Sequence, residues 1–422
     1  MAVIAVRYKS ILLQTRKKSH YISTSHCCRM GVHHKLSAEQ PWSPPPNPTP
    51  TIIDVHTHTY PPSYIELLAS RSEVPYIHRP NDGSEPRLII LSSDDDQPKP
   101  LEKRGRPVDS TYSSWDQKLK FMKLHGISCS VVSLANPWLD FLPSDTALET
   151  AQEINNDLNQ ACERQNAKDD PSARLYAFAS LPLSAPPEQI TSEITRLKSL
   201  SSTKGIIMGT TGLGSGLDDP ALTPVWTALE ETGTMIFLHP HYGLPESAFG
   251  GREVIARSGH VLPLALGFPL ETTIAVARMY LSGVFDRHPK IKFLLAHSGG
   301  TLPFLAGRIQ SCVEHERDFV ANGGEKPGPE RDIWDVLRTN IWLDAVIYGT
   351  AGLKGAIEAA GPEGVGRLMF GTDNPFFPPL KGEGQWASVT SNLAAVKGVG
   401  LNAEDVRKVL GGNAARILGI DI

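Results

Sequence analysis

Histidines close several apolar runs of this chain, in pairs or singly: His56 and His58 in IIDVHTHTYPP, His239 and His241 in FLHPHYG, and His297 in LLAHSGG. Asp373 takes the same position in FGTDNPFF. On an extended strand, residues two apart point to one side, so His56 and His58 project together from the end of their strand. Imidazole nitrogens and a carboxylate oxygen suit a divalent ion such as zinc. Each element alone is weak, because a single histidine after a strand is commonly a packed residue. The argument for a metal rests on the same placement recurring. Only one of His239 and His241 need reach the ion, which leaves the other to a hydrogen bond or to substrate. His78, His125, His260, His288 and His315 fall in loops or helical patterns and read as solvated or structural.

For these side chains to converge, the runs that carry them must be neighbours. Strand patterns occur at TIIDVHTH, SCSVVSLA, LYAFASLP, KGIIMGT, TMIFLHPH, KIKFLLAH, IWLDAVI and GRLMFGTD. Amphipathic helical patterns such as SSWDQKLKFMKLHG, ETAQEINNDLNQACERQ and PEQITSEITRLKSL lie between them. Eight strands each followed by a helix predict an α/β fold, the (β/α)8 TIM barrel, whose chemistry gathers at the C-terminal ends of the strands. The candidate residues then end strands one, five, six and eight. Residues 64–111 break the rhythm with polar, proline-containing sequence and read as an insertion after the first strand, over the barrel mouth. A second metal would need an anionic bridge near the end of the fourth strand, and in KGIIMGTTG the lysine, Lys204, opens the strand instead. One ion per chain is expected.

A net charge of −4 gives no general attraction to phosphate backbones or anionic lipid, and no apolar run reaches the roughly 20 residues of a membrane span. Neither nucleic acid nor a membrane is an expected partner. The five cysteines are irregularly spaced and form no CxxC pair, which fits a reducing compartment. Residues 1–50 are basic before Glu39 and end in the proline linker PWSPPPNPTP. They read as a disordered extension, or as a mitochondrial targeting segment on an otherwise cytoplasmic protein, or as the product of a start placed ahead of Met30. Residues 51–422 are expected to form the barrel.

The HxH pair, the later histidines and the GTD aspartate resemble the amidohydrolase superfamily. The stretch LGFPLETTIAVARMYLSGVFDRHPKIKFLLAHSGGTLPFLAGRI is similar to its decarboxylase branch, typified by aminocarboxymuconate semialdehyde decarboxylase. HTYPPSYI, SLANPW, FLHPHYGLP and TDNPFFPP resemble the fungal isoorotate (uracil-5-carboxylate) decarboxylases of thymine salvage, and the likeness runs from about residue 51 to the end. It implies that His56, His58, His239 and Asp373 bind one zinc and that His297 stands beside the metal as a catalytic residue. It further implies that Arg106 and Asn136 hold the polar edge of a pyrimidine, with His241 nearby, and that Phe268 and Phe376 sandwich the ring. Arg308 would reach across a homodimer interface. Asn374 departs from the pattern, which places a histidine or another aromatic residue after the aspartate.

Direct loss of CO2 from a planar ring carbon leaves an unstabilised carbanion, so the carbon must be protonated first. Asp373, kept neutral by an apolar pocket, is the expected acid. The alternatives use the same residues: decarboxylation of aminocarboxymuconate semialdehyde or a substituted benzoate, hydrolysis of a cyclic amide or lactone, or a catalytically idle barrel.

Overall fold

The computed structural model describes residues 51–421 apart from 92–93, 96–98, 169–172, 321–327 and 380–383. The expectations for residues 1–50 lie outside the described residues. Eleven strands are present among them: β1 Ile53–His58, β2 Tyr76–His78, β3 Arg87–Ile89, β4 Arg106–Pro107, β5 Cys129–Ser133, β6 Arg174–Ser180, β7 Thr203–Gly209, β8 Met235–His239, β9 Lys292–Leu295, β10 Ile341–Asp344 and β11 Leu368–Met369. Eight of them form one sheet in the order β1-β5-β6-β7-β8-β9-β10-β11, and its pairings are parallel. Helices lie on the outside of this sheet. Parallel strands covered on both faces become continuous apolar runs, and β5, β8 and β10 are buried along their whole length. The fold is a (β/α)8 TIM barrel.

The barrel closes where the chain leaving β11 runs beside β1. Val55 N donates to Phe370 O at 3.0 Å, Asp373 N to His56 O at 2.7 Å and His58 N to Asn374 O at 2.7 Å. Asp54 staples this seam, since its carboxylate accepts from Thr372 Oγ1 at 2.6 Å and from Thr372 N and His56 N at 3.1 Å. The two strands approach so closely at Gly371 that a Cβ there would stand 2.7 Å from His56 Cβ. Glycine is required at that point.

The segment between β1 and the helix Trp115–His125 has more structure than its polar sequence suggests. A helix, Pro62–Ala69, follows β1, and β2, β3 and β4 then make a small antiparallel sheet. Tyr64, Ile77, Leu88 and Val108 from this segment pack into the main core. The helix Trp115–His125 begins with Ser114 accepting a hydrogen bond from Gln117 N and ends at Gly126 in the left-handed region, the usual start and stop chemistry of a helix.

Candidate active site

His56, His58, His239, His297 and Asp373 meet at the C-terminal rim of the barrel. The rings of His56, His58 and His239 lie 5.1 Å apart pairwise, and His297 is 5.1 Å from both His56 and His239. Phe237 forms the floor, with its ring 5.0 Å from that of His56. The Nδ1 atoms of three of these rings face groups that can only accept or that accept well. His56 Nδ1 lies 2.6 Å from Asp344 Oδ2, His58 Nδ1 3.1 Å from Leu134 O, and His239 Nδ1 2.8 Å from Pro240 O. An acceptor at each Nδ1 favours the hydrogen there, which leaves the Nε2 lone pair of a neutral ring free to face a cation. All three Nε2 atoms are buried without a hydrogen-bond partner. Buried polar atoms of this kind are rare unless a ligand satisfies them, and Nε2 of a ring whose Nδ1–H is tied back is the usual metal-binding atom.

Asp373 completes the donor set. Its Oδ1 stands 3.4 Å from His56 Nε2 and 3.5 Å from His58 Nε2, and its Oδ2 3.8 Å from His297 Nε2. Donor atoms of His56, His239, His297 and Asp373 all fall within 4.8 Å of one another, a cluster of three histidines and one aspartate that could hold a metal ion. His58 lies just outside this tightest grouping, although its Nε2 is as close to Asp373 as that of His56. His297 differs from the other rings because its Nδ1 has no partner and its side chain is partly exposed.

The charges fit a cation. Burial lowers His58 to about 4 and His239 well below its ordinary value, so both rings are neutral. Burial also acts to lower His56, but the carboxylates of Asp373 and Asp344 outweigh it and push it up to about 10. The negative charge responsible is what a divalent ion would balance. Burial acts to raise Asp373, yet the charge of His56 and the imidazoles of His297 and His58 beside it hold it well below the usual carboxylate range. This corrects the expectation that an apolar pocket keeps Asp373 neutral: the imidazoles around it dominate.

The chain belongs to the amidohydrolase family. Residues 53–420 match that family. An IDCase (isoorotate decarboxylase) from Metarhizium anisopliae, solved in apo form, is 48% identical, with 88% of this chain and 97% of that one covered and a TM-score of 0.79. The 2-amino-3-carboxymuconate-6-semialdehyde decarboxylase of Dictyostelium discoideum is 27% identical over 379 residues, covering 87% of this chain and 92% of the relative. A 5-carboxyvanillate decarboxylase of Novosphingobium aromaticivorans with bound manganese is 18% identical and shares the fold, with a TM-score of 0.67 and coverage of 87% and 97%. This amidohydrolase is a metal-dependent decarboxylase, a carboxy-lyase.

The structure brings most of the predicted substrate residues of this amidohydrolase to the rim. Phe376 is 5.7 Å from His58 by ring centroids, and Phe268 is 5.9 Å from His239 and 6.1 Å from His297. Asn136 is buried, its Nδ2 donating to Pro240 O at 3.4 Å while Oδ1 has no partner. Arg106 stands on β4, and its charge acts on the hydroxyls of Tyr60, Tyr112 and Tyr242. His241 lies beyond the end of β8, packs on Trp138 and has Asp140 Oδ2 3.7 Å from its Nε2. Burial lowers it to about 4. Arg308 is exposed on the helix Leu302–Val320 and joins none of these side chains within its own chain. Lys204 donates to Gly419 O, away from the rim.

Three supporting residues were missed. Asp344, at the end of β10, holds His56 and also accepts from His297 N at 3.0 Å and Ser298 N at 2.8 Å. It thereby fixes a turn in which His297 and Ser298 have positive φ, a costly conformation outside glycine. Its signal was legible: an aspartate closing IWLD, where other strands end in metal-site residues. Glu271 accepts from His241 N at 2.6 Å and Gly243 N at 2.8 Å, securing the loop after β8. Lys118 donates to Asn374 Oδ1, so Asn374 is occupied with a lysine rather than with the metal site.

Proposed function

We propose that this amidohydrolase is a zinc-dependent, non-oxidative decarboxylase that converts uracil-5-carboxylate to uracil in thymine salvage. The observation that carries the reading is the 48% identity to the Metarhizium anisopliae IDCase across 97% of that chain. Three imidazole nitrogens and one carboxylate, from His56, His58, His239 and Asp373, are a donor set that suits a single zinc. Bound there, the ion supplies positive charge that fixes the substrate carboxylate and polarises the neighbouring carbonyl.

The chain's own residues do the rest. Phe268 and Phe376 hold the ring between them, Arg106 faces its polar edge, and the unpartnered Oδ1 of Asn136 accepts from a ring N–H. Asp373 is ionised at rest, so the proton enters through His297 and Asp373 passes it on to C5; the C5–carboxylate bond then breaks, its electron pair restores the ring conjugation, and CO2 leaves. His297, with Nε2 3.8 Å from Asp373 Oδ2, is placed to return a proton to that oxygen. Incubation with uracil-5-carboxylate is expected to give uracil and CO2 in equal amounts. Turnover of 5-carboxyvanillate or aminocarboxymuconate semialdehyde with none of uracil-5-carboxylate would overturn the substrate assignment.

The same reading includes a homodimer. Leu270 and Ile274 on the helix Phe268–Leu281 and Phe304 on Leu302–Val320 are exposed, Phe304 by 89%, and Arg308 follows Phe304 by one turn. A second copy covering this face would receive Arg308 near its site. Mixed Arg308→Ala and Asp373→Ala subunits should then regain activity through hybrid sites. Subunit exchange without any recovery would contradict shared sites.

A further inference from the structure

Lys118 is 2% exposed, a rare position for a lysine without a purpose for its charge. Its Nζ donates to Thr57 Oγ1 at 2.6 Å, to His58 O at 3.0 Å and to Asn374 Oδ1. Three acceptors match the three N–H bonds of an ammonium, so the group is satisfied with no water required. The acceptors come from two places. Thr57 and His58 end β1, whereas Asn374 follows Asp373 in the turn after β11. Asn374 is gripped a second time through its carbonyl, which accepts from His58 N at 2.7 Å and from Thr57 Oγ1 at 3.1 Å. Between these grips Asp373 has φ +58°, a left-handed conformation that a side-chain-bearing residue keeps only when its surroundings hold it.

We propose that Lys118 is a positioning residue for the metal ligands: it clamps the end of β1, which carries His58, to the turn that carries Asp373. The inference rests on the reading that His58 and Asp373 are ligands. The hydrogen bonds of the clamp are distinct from those of the staple that closes the barrel, Asp54–Thr372 and Val55–Phe370, although the charges of Asp54 and Lys118 attract each other. Its loss therefore loosens the rim more than the fold. It also accounts for Asn374, whose short amide reaches Lys118 where a bulkier ring would occupy that space.

The test compares wild type, Lys118→Met and the double variant Lys118→Met/Asn374→Leu, which removes Lys118 and Asn374 together so that the Asn374 amide is not left buried without its donor. Each is measured by thermal melting, by zinc affinity in chelator competition, by the absorption spectrum of bound Co2+, and by kcat and KM. Both variants are expected to fold, to bind zinc roughly 10–100-fold more weakly, to show an altered Co2+ spectrum, and to lose kcat with KM within about threefold of wild type. The double variant should regain melting temperature lost by the single one, but not zinc affinity. Unchanged affinity and spectrum would overturn the proposal. So would recovery of affinity together with stability in the double variant, or failure of both variants to fold, since Lys118 would then serve the fold alone. A wild-type chain that binds neither zinc nor Co2+ at this rim would instead refute the ligand reading itself.

Discussion

The histidine rim and the insertion above it are built by opposite means. At the rim, each predicted ligand ring is buried and has its Nδ1 tied down, and one carboxylate, Asp344, serves both His56 and the turn of His297. In the insertion, the strands of the small sheet are two or three residues long, and much of their support comes from side chains reaching backbone carbonyls. Arg87 donates to Arg104 O at 2.9 Å and to Gly105 O at 2.7 Å, and Gly105 approaches Leu88 O so closely that a Cβ would stand 2.2 Å from it. Between the insertion and the segment after β8, a cavity of about 440 Å³ is lined by Leu91, Asp94, Tyr242, His260 and Phe268 among others. The residues proposed to bind the metal are thus fixed by the barrel's strand ends, while a residue proposed to read the substrate is carried on an added sheet. Such a division lets substrate preference change without disturbing the metal.

The comparison breaks most readily at Asp344. Asp344→Ala removes the partner of His56 Nδ1 and of two backbone N–H groups, so metal affinity and turnover should fall together, each by at least about 10–100-fold. Zinc content after dialysis and kcat on the same sample check this, and full metal retention would show that the rim does not depend on its hub. A smaller and different effect is expected from the insertion. Arg106→Ala should raise KM for uracil-5-carboxylate by about tenfold or more, the scale of a lost charge-assisted hydrogen bond, with zinc content unchanged. Loss of metal in that variant would erase the distinction between the two regions.

The barrel was legible because its parallel strands are buried on both faces and appear as apolar runs, so that all eight could be placed from their sequence. The site was legible where the same placement recurred, at His56, His58, His239, His297 and Asp373. His297 and Asp373 nevertheless lie past their strands rather than in them, in turns whose positive φ no residue type announced. The small sheet escaped because strands so short show no alternation. Lys118 escaped for another reason: in DQKLKFMK a lysine looks like one more solvated position on an amphipathic helix, and only the closing of β1 against the Asp373 turn buries it. The charge state of Asp373 could not be read at all, since it depends on how many imidazoles surround the carboxylate.

The central claim is that Asp373 serves this rim both as a ligand and as the acid that protonates the ring. Asp373→Asn separates the roles, because the amide keeps size and one donor oxygen while three histidines remain to hold the ion. Zinc content, substrate binding and turnover of uracil-5-carboxylate should be measured on that variant. Much of the zinc and substrate binding should persist while turnover falls by several orders of magnitude, beyond the roughly 10²–10⁴ of acid–base catalysis alone because metal geometry is also disturbed. A fully metallated Asp373→Asn enzyme with near-normal turnover would mean that another group supplies the proton.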